Sequence, residues 1–270
     1  MPFRLLLPAA LLLFGGAACY SSCGTIAGAA NNINFFSPEY DVELGAQVAA
    51  EIASKPQEYP LLPERGNEEV YSYIRGLTDL LLNTGEVEYR DMFAWQVKII
   101  DDDETLNAFA TPGGYIYVYT GLIKYLDTED ALLGVMGHEI AHAARRHSTK
   151  QLSKAYGAQI LLSVVTGRSE PGMIEQIALG LTTLKFGREA ETEADAYSVR
   201  YLCPTNYDAD GAAEFFRKLE QAGGARQPEF LSTHPNPGNR VQDIDALANE
   251  LNCGGNDGDT AKYRRIKGLL

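Results

Sequence analysis

His138-Glu139-Ile140-Ala141-His142 sets two imidazoles four residues apart, with a carboxylate next to the first. On a helix, positions 138 and 142 share a face, so both rings can reach one ion, while Glu139 lies beside them and can hold a water. The chemistry that such a set supports is metal-assisted hydrolysis, with zinc as the ion and the carboxylate as base. The chain has only four histidines in 270 residues, so abundant histidine does not explain the pattern. Two imidazoles leave a catalytic zinc one protein ligand short of the usual three, with a further position kept for water. Glu191-Thr192-Glu193-Ala194-Asp195, on a later helical stretch, is the best source of the third. With Glu191 as ligand, Asp195 falls one turn on along the same face, able to take a hydrogen bond from the far nitrogen of a metal-bound histidine. Glu193 points off that face and is expected to be solvated. His147, five residues past His142, is off the ligand face too and is expected to be ordinary.

The elements that must position these groups read as mostly helical. Residues 38–54 carry Val42, Leu44, Val48 and Ile52 at helical spacing after Ser37-Pro38-Glu39, and residues 67–82 repeat the pattern with Val70, Ile74, Leu77 and Leu81. A strand is expected at 93–99, and two short ones at 106–110 and 115–119, separated by Thr111-Pro112-Gly113-Gly114. Together they predict a small antiparallel sheet. A short helix follows to Leu126, and then one helix over 129–148, burying Leu132, Leu133, Val135, Met136 and Ile140. Residues 150–186 are apolar and helical, interrupted at 167–172, and each half is too short to cross a bilayer. They read as core helices; walling a peptide groove or touching a membrane surface is the second reading. Further helices are expected at 188–202, 208–222 and 239–251, with a proline-rich loop at 232–238 and a loosely attached end beyond Gly254. The class is α+β.

Composition narrows the partners. An apolar fraction of 45% and a charged fraction of 22% belong to an ordinary globular chain. With 23 basic against 36 acidic residues the net charge is -13, which argues against nucleic acid and anionic lipid headgroups, both of which reward clustered Lys and Arg. Arg4, the apolar run 5–14 and small residues 15–18 have the layout of an export signal. Gly16-Ala17-Ala18-Cys19 resembles a bacterial lipoprotein signal in which Cys19 becomes the acylated first residue; cleavage after Ala18 or a little later, without lipid, is the second reading. The expected organisation is a signal at 1–18, a tether at 19–37, one catalytic domain at 38–251 and a tail at 252–270. An oxidising periplasm would let Cys203 pair with Cys253, tying the tail to the end of the helix that carries Glu191.

His138 to His142, followed by Glu191 and Asp195 with Ala194 between, resembles the gluzincin zinc metallopeptidases that include HtpX and the CAAX prenyl endoproteases. The chain is most similar to the soluble periplasmic members, several of them lipoproteins. The resemblance runs from about Asp41 to Ile244 and takes in Asn107-Ala108-Phe109-Ala110, Pro112-Gly113-Gly114, Val118, Thr233-His234-Pro235 and Arg240. It implies a zincin-like fold, one Zn2+ per chain and polypeptide substrates. Asn107, Ala108 and Phe109 would lie on an edge strand against which an extended substrate adds its own strand. His234 and Arg240 would approach the metal from the far side. There His234 either stabilises the oxyanion or, at rest, fills the ion's open position. Envelope quality control, with partners in outer-membrane assembly and a membrane reached only through the lipid at Cys19, completes the implied picture. Two rivals stand beside it. One is a periplasmic chaperone or assembly factor whose zinc site is held shut, and the other a structural lipoprotein, against which an intact Glu139 argues.

Overall fold

The computed structural model describes residues 34, 36–221, 229–235, 238–255, 258 and 260–270. The expected signal, the lipidated Cys19 and the tether, apart from residues 34, 36 and 37, lie outside the described residues. From Asn34 onward the chain forms one compact unit.

Helix α1 (Pro38–Ala53) begins with proline in its first turn, where a missing N–H costs nothing, and α2 (Glu68–Leu82) opens on two glutamates that complement its positive end. Three strands follow: β1 (Gln96–Ile100), β2 (Ala108–Thr111) and β3 (Tyr115–Tyr119). The helices after them are α3 (Thr120–Tyr125), α4 (Glu129–Ala144), α5 (His147–Val165), α6 (Met173–Thr182), α7 (Arg188–Leu202), α8 (Gly211–Gln221), α9 (Glu229–Thr233), α10 (Arg240–Glu250) and α11 (Thr260–Lys267). No helix among the described residues is long and apolar enough to cross a membrane.

Strand alternation divides the core in two. Ile116 and Val118 of β3, with Ala108 and Ala110 of β2, face a large cluster shared by α2, α4, α7 and α8. Tyr117 and Phe109 face the opposite way, stacked on each other with centroids 4.6 Å apart, and join a second cluster with Leu44, Val48 and Ile52 of α1. Gly45 lets α1 lie against the hairpin turn, since a Cβ there would sit 2.0 Å from the Pro112 carbonyl oxygen.

The sheet is mixed, where an antiparallel one was expected. Its order is β1-β3-β2, with β1 parallel and β2 antiparallel to β3. The turn at Pro112–Gly114 makes the local hairpin. The preceding reversal between β1 and β2 leaves β3, rather than β2, beside β1. Two reversals therefore return the chain to its original direction.

The helix expected over 129–148 ends at Ala144, and Arg146 takes the left-handed conformation (φ 59°, ψ 36°) before α5 starts. A distant contact holds this break. The Arg146 guanidinium donates to both carboxylate oxygens of fully buried Asp41 on α1, at 2.8 and 2.9 Å, and to the Phe36 carbonyl at 2.6 Å. The chain end is also docked rather than loose. Tyr263 and Ile266 of α11 are buried, and the Tyr263 hydroxyl donates to the Ile123 carbonyl at 2.7 Å. A disulfide joins Cys203 to Cys253, as expected.

Candidate metal centre

Helix α4 carries His138, Glu139 and His142, and all sixteen of its residues are buried. It starts on a Thr128 side chain that accepts the Ala131 N–H, with Glu129 and Asp130 in the first turn. Its strongest packing is against α7, where Ser198 donates to the Gly134 carbonyl at 2.7 Å, and against α8. Gly134 permits the second approach, because a Cβ there would fall 2.0 Å from Ala212 N. Helix α7 thereby brings Glu191 and Asp195 to the histidines, and the short α9 brings His234.

Ligand-capable atoms of His138, His142, Glu191 and His234 all lie within 4.8 Å of one another, and all four residues are buried. The two Nε2 atoms of His138 and His142 are 2.9 Å apart, and His234 Nδ1 is 3.3 Å from His138 Nε2. Glu191 places Oε2 3.5 Å from His138 Nε2 and Oε1 3.5 Å from His142 Nε2. Behind His138, Asp195 Oδ1 accepts from Nδ1 at 2.8 Å. Arg240, 2% exposed, donates to both Asp195 oxygens at 2.7 and 2.6 Å and pairs with Glu191 Oε2 at 3.1 Å. Phe216 lies 4.1 Å beneath its guanidinium. Phe186 stacks on His142 and Phe230 on His234, at 3.9 and 4.3 Å between centroids.

Electrostatics follow from burial and these partners. Burial opposes charge on His138, but the carboxylates of Asp195 and Glu191 outweigh it and raise its pKa to about 9. Burial instead drives His142 well below its ordinary value. Despite burial, Glu191 is held far below the carboxylate range by His234, His138 and His142. Glu139 goes the other way, its pKa raised by burial against the pull of His234 and His138.

These residues fit a divalent cation. The donors are three ring nitrogens and a carboxylate, the set expected for zinc. Both oxygens of Glu139 are buried without a hydrogen-bond partner, which is costly unless something else satisfies them. His138, His142 and Glu191 would hold such a cation, with His234 within reach of the same cluster.

Sequence spacing anticipated that His138, His142, Glu191 and Asp195 would converge. The resemblance added His234, which joins the cluster, and Arg240, whose guanidinium is committed to Asp195 and Glu191. Asn107 precedes β2, its side chain accepting the Ala108 N–H at 2.9 Å, and β2 with Ala108 and Phe109 lies at the edge of the sheet order. Two expectations were wrong. His147 is not ordinary: its Nδ1 lies 3.0 Å from His142 Nδ1, and its Nε2 3.1 Å from Glu193 Oε2. Glu193 is not merely solvated either. It accepts from Arg145 Nε at 2.7 Å, and its pKa is lowered to about 2 by His147 and, against burial, by Arg145. Counting along one unbroken helix put His147 off the ligand face; the left-handed Arg146 swings it behind His142.

Fold and centre together define a class, a mostly helical α+β metallopeptidase. The chain belongs to peptidase family M48, whose profile matches residues 72–248. Among its relatives, the mitochondrial metalloendopeptidase OMA1 of Arabidopsis thaliana is 31% identical over 158 residues, covering 58% of this chain and 32% of the relative. The beta-barrel assembly-enhancing protease of Escherichia coli K12 is 31% identical over 168 residues, 57% of this chain and 34% of the relative. The OMA1 of Schizosaccharomyces pombe is 28% identical over 155 residues, 56% of this chain and 46% of the relative. The match thus spans a third to a half of each relative's length.

Proposed function

We propose that this chain is a zinc-dependent endopeptidase that cuts extended or misfolded exported polypeptides in a bacterial periplasm. One observation carries the reading: His138, His142 and Glu191 converge from two helices with the buried carboxylate of Glu139, which makes no hydrogen bond, beside them. One ion per chain, held by these three, would supply Lewis acidity to the scissile carbonyl and the attacking water. Glu139 takes the proton of that water and delivers it to the leaving amine, a role that suits a carboxylate whose pKa burial has raised. His234, its Nε2 3.4 Å from Glu139 Oε1, would steady the developing oxyanion. Asp195 fixes the ring of His138, and Arg240 holds Asp195 and Glu191 in place. Asn107, Ala108 and Phe109 align the substrate as an added strand at the sheet edge.

The organisation proposed with this function is a signal over 1–18, Cys19 as lipid anchor, a tether to residue 37 and the peptidase over 38–251, followed by the C-terminal tail at 252–270. The relative named for beta-barrel assembly supports outer-membrane assembly factors as partners. The test is metal analysis of the purified protein with hydrolysis of an unfolded polypeptide, by wild type and Glu139→Gln. The variant should keep its ion and lose about 10²- to 10⁴-fold in rate. A wild type that takes up no ion, or a variant as active as wild type, would overturn the proposal.

A second reading is favoured by His234, which sits in the ligand group itself, with Nδ1 3.1 Å from Glu191 Oε1. As a fourth ligand it would hold the centre shut, making the chain a chaperone or assembly factor. Glu139→Gln that abolishes hydrolysis yet sustains function in cells would favour it.

A further inference from the structure

Behind His142 runs a line of groups that the proposed chemistry does not use: Arg145, Glu193 and His147. Arg145 Nε donates to Glu193 Oε1 at 2.7 Å, and its guanidinium lies 4.6 Å over the Tyr197 ring and pairs with Glu88. Glu193 Oε2 faces His147 Nε2 at 3.1 Å, and His147 Nδ1 faces His142 Nδ1 at 3.0 Å. Both histidine rings are buried, and Phe186 covers a face of His142.

With His147 neutral, the order of protons along this line follows from what each group can do. A carboxylate only accepts, so the hydrogen between Glu193 and His147 belongs to His147 Nε2. A neutral imidazole carries one such hydrogen, which leaves His147 Nδ1 as a bare acceptor. The hydrogen between the two Nδ1 atoms therefore belongs to His142. Its Nε2 is left bare, and that atom is the one turned toward His138 Nε2 and Glu191. The opposite tautomer would aim an N–H into the ligand cluster and set two lone pairs against each other behind it.

We propose that His147, anchored by Glu193 and Arg145, is a positioning residue that fixes the tautomer and ring orientation of His142 so that Nε2 is presented to the metal. This rests on the metallopeptidase reading above. Asp195 does the same for His138, so each metal-facing imidazole has its own backing acceptor: a carboxylate directly for one, a carboxylate acting through a second imidazole for the other. The break at Arg146 is what makes the second line reachable, and Asp41 holds that break.

The test uses ¹⁵N-histidine-labelled protein treated with chelator, in which two-bond proton–nitrogen correlations report which nitrogen of His142 bears hydrogen. Zinc affinity is then measured by competition with a chromophoric chelator. Wild type should show His142 protonated at Nδ1. His147→Leu and Glu193→Leu should lose that single tautomer, and His147→Leu should bind zinc about 10- to 100-fold more weakly, the usual effect of removing an outer partner of a ligand. His147→Gln, whose amide oxygen can accept from His142 Nδ1, should recover most of the affinity. The proposal is overturned if His147→Leu keeps both the Nδ1–H tautomer and an affinity within about twofold of wild type. It is overturned equally if His147→Gln is as weak as His147→Leu, which would mark a packing role. Glu193 is partly exposed, so Glu193→Leu keeps the tautomer readable should His147→Leu fail to fold. Were wild type to bind no zinc, the proposed function would fail, while the tautomer readout would still judge the relay.

Discussion

Replacing Arg240 with methionine is the sharpest probe of the electrostatic design. The guanidinium is 2% exposed and is the partner of two buried carboxylates, with two hydrogen bonds to Asp195 and an ion pair to Glu191. In the metal-free protein, His138, its pKa raised to about 9, and Arg240 stand against the carboxylates of Asp195 and Glu191. Methionine keeps most of the volume over Phe216 but leaves a buried carboxylate charge without its partner. Breaking a buried pair from one side costs about 3–5 kcal/mol. For a chain of this size that is a fall in Tm of about 6–20 °C. Arg240→Lys should be intermediate, since an ammonium cannot span both Asp195 oxygens at once. The assay is thermal unfolding in chelator by calorimetry, followed by a double-mutant cycle with Asp195→Asn. Removing both charges should cost less than the sum of the single losses by more than about 1 kcal/mol. Additive losses, or a Tm change under about 2 °C, would refute the argument, because either result means the pair does not bear the charge balance assigned to it.

Three further outcomes follow from the fold and its charges. Opening the Cys203–Cys253 bridge, which spans a sequence separation of 50, should remove up to about 4 kcal/mol of stability, measured by urea unfolding of the double serine variant. Gly134→Ala should cost about 1–3 kcal/mol or more in the same assay, because its Cβ would lie 2.0 Å from Ala212 N and push α4 away from α8. His138 has a folded pKa raised from 6.5 to about 9, so its contribution to metal-free stability is full below 6.5 and lost as pH rises through about 9. Denaturation of chelator-treated protein across that range should show the loss, and saturating zinc should abolish it.

How far the sequence could be read depended on the range of the interactions involved. Helical spacing alone brought His138 to His142 and Glu191 to Asp195, because each pair sits within one turn of one helix, and the apolar periodicities of α1 and α2 were equally local. Arg146 was opaque because its left-handed backbone answers to Asp41, 105 residues away, and no pattern around residue 146 encodes that partner. His147 inherited the error, since its face was counted along a helix that does not continue, and Glu193 was misjudged because its partners, Arg145 and His147, come from that distant break. Phe186 left no trace in spacing at all; it lies between helices and meets His142 only through the packing of the whole domain. The docking of α11 rests chiefly on Tyr263 and Ile266, too few apolar residues to announce a buried face. In the sheet, the hairpin was visible at Pro112-Gly113-Gly114, but strand order is a property of the fold.

The immersion of α4 has an implication for how such a centre diversifies. A helix with sixteen consecutive residues out of solvent has no permissive side, so nearly any replacement along it disturbs a neighbour as well as the chemistry. New peptide preferences are therefore more cheaply acquired at the periphery, on a segment such as α6 that retains exposed residues and can be resculpted without shifting the ligands. The centre stays constant while its surroundings change.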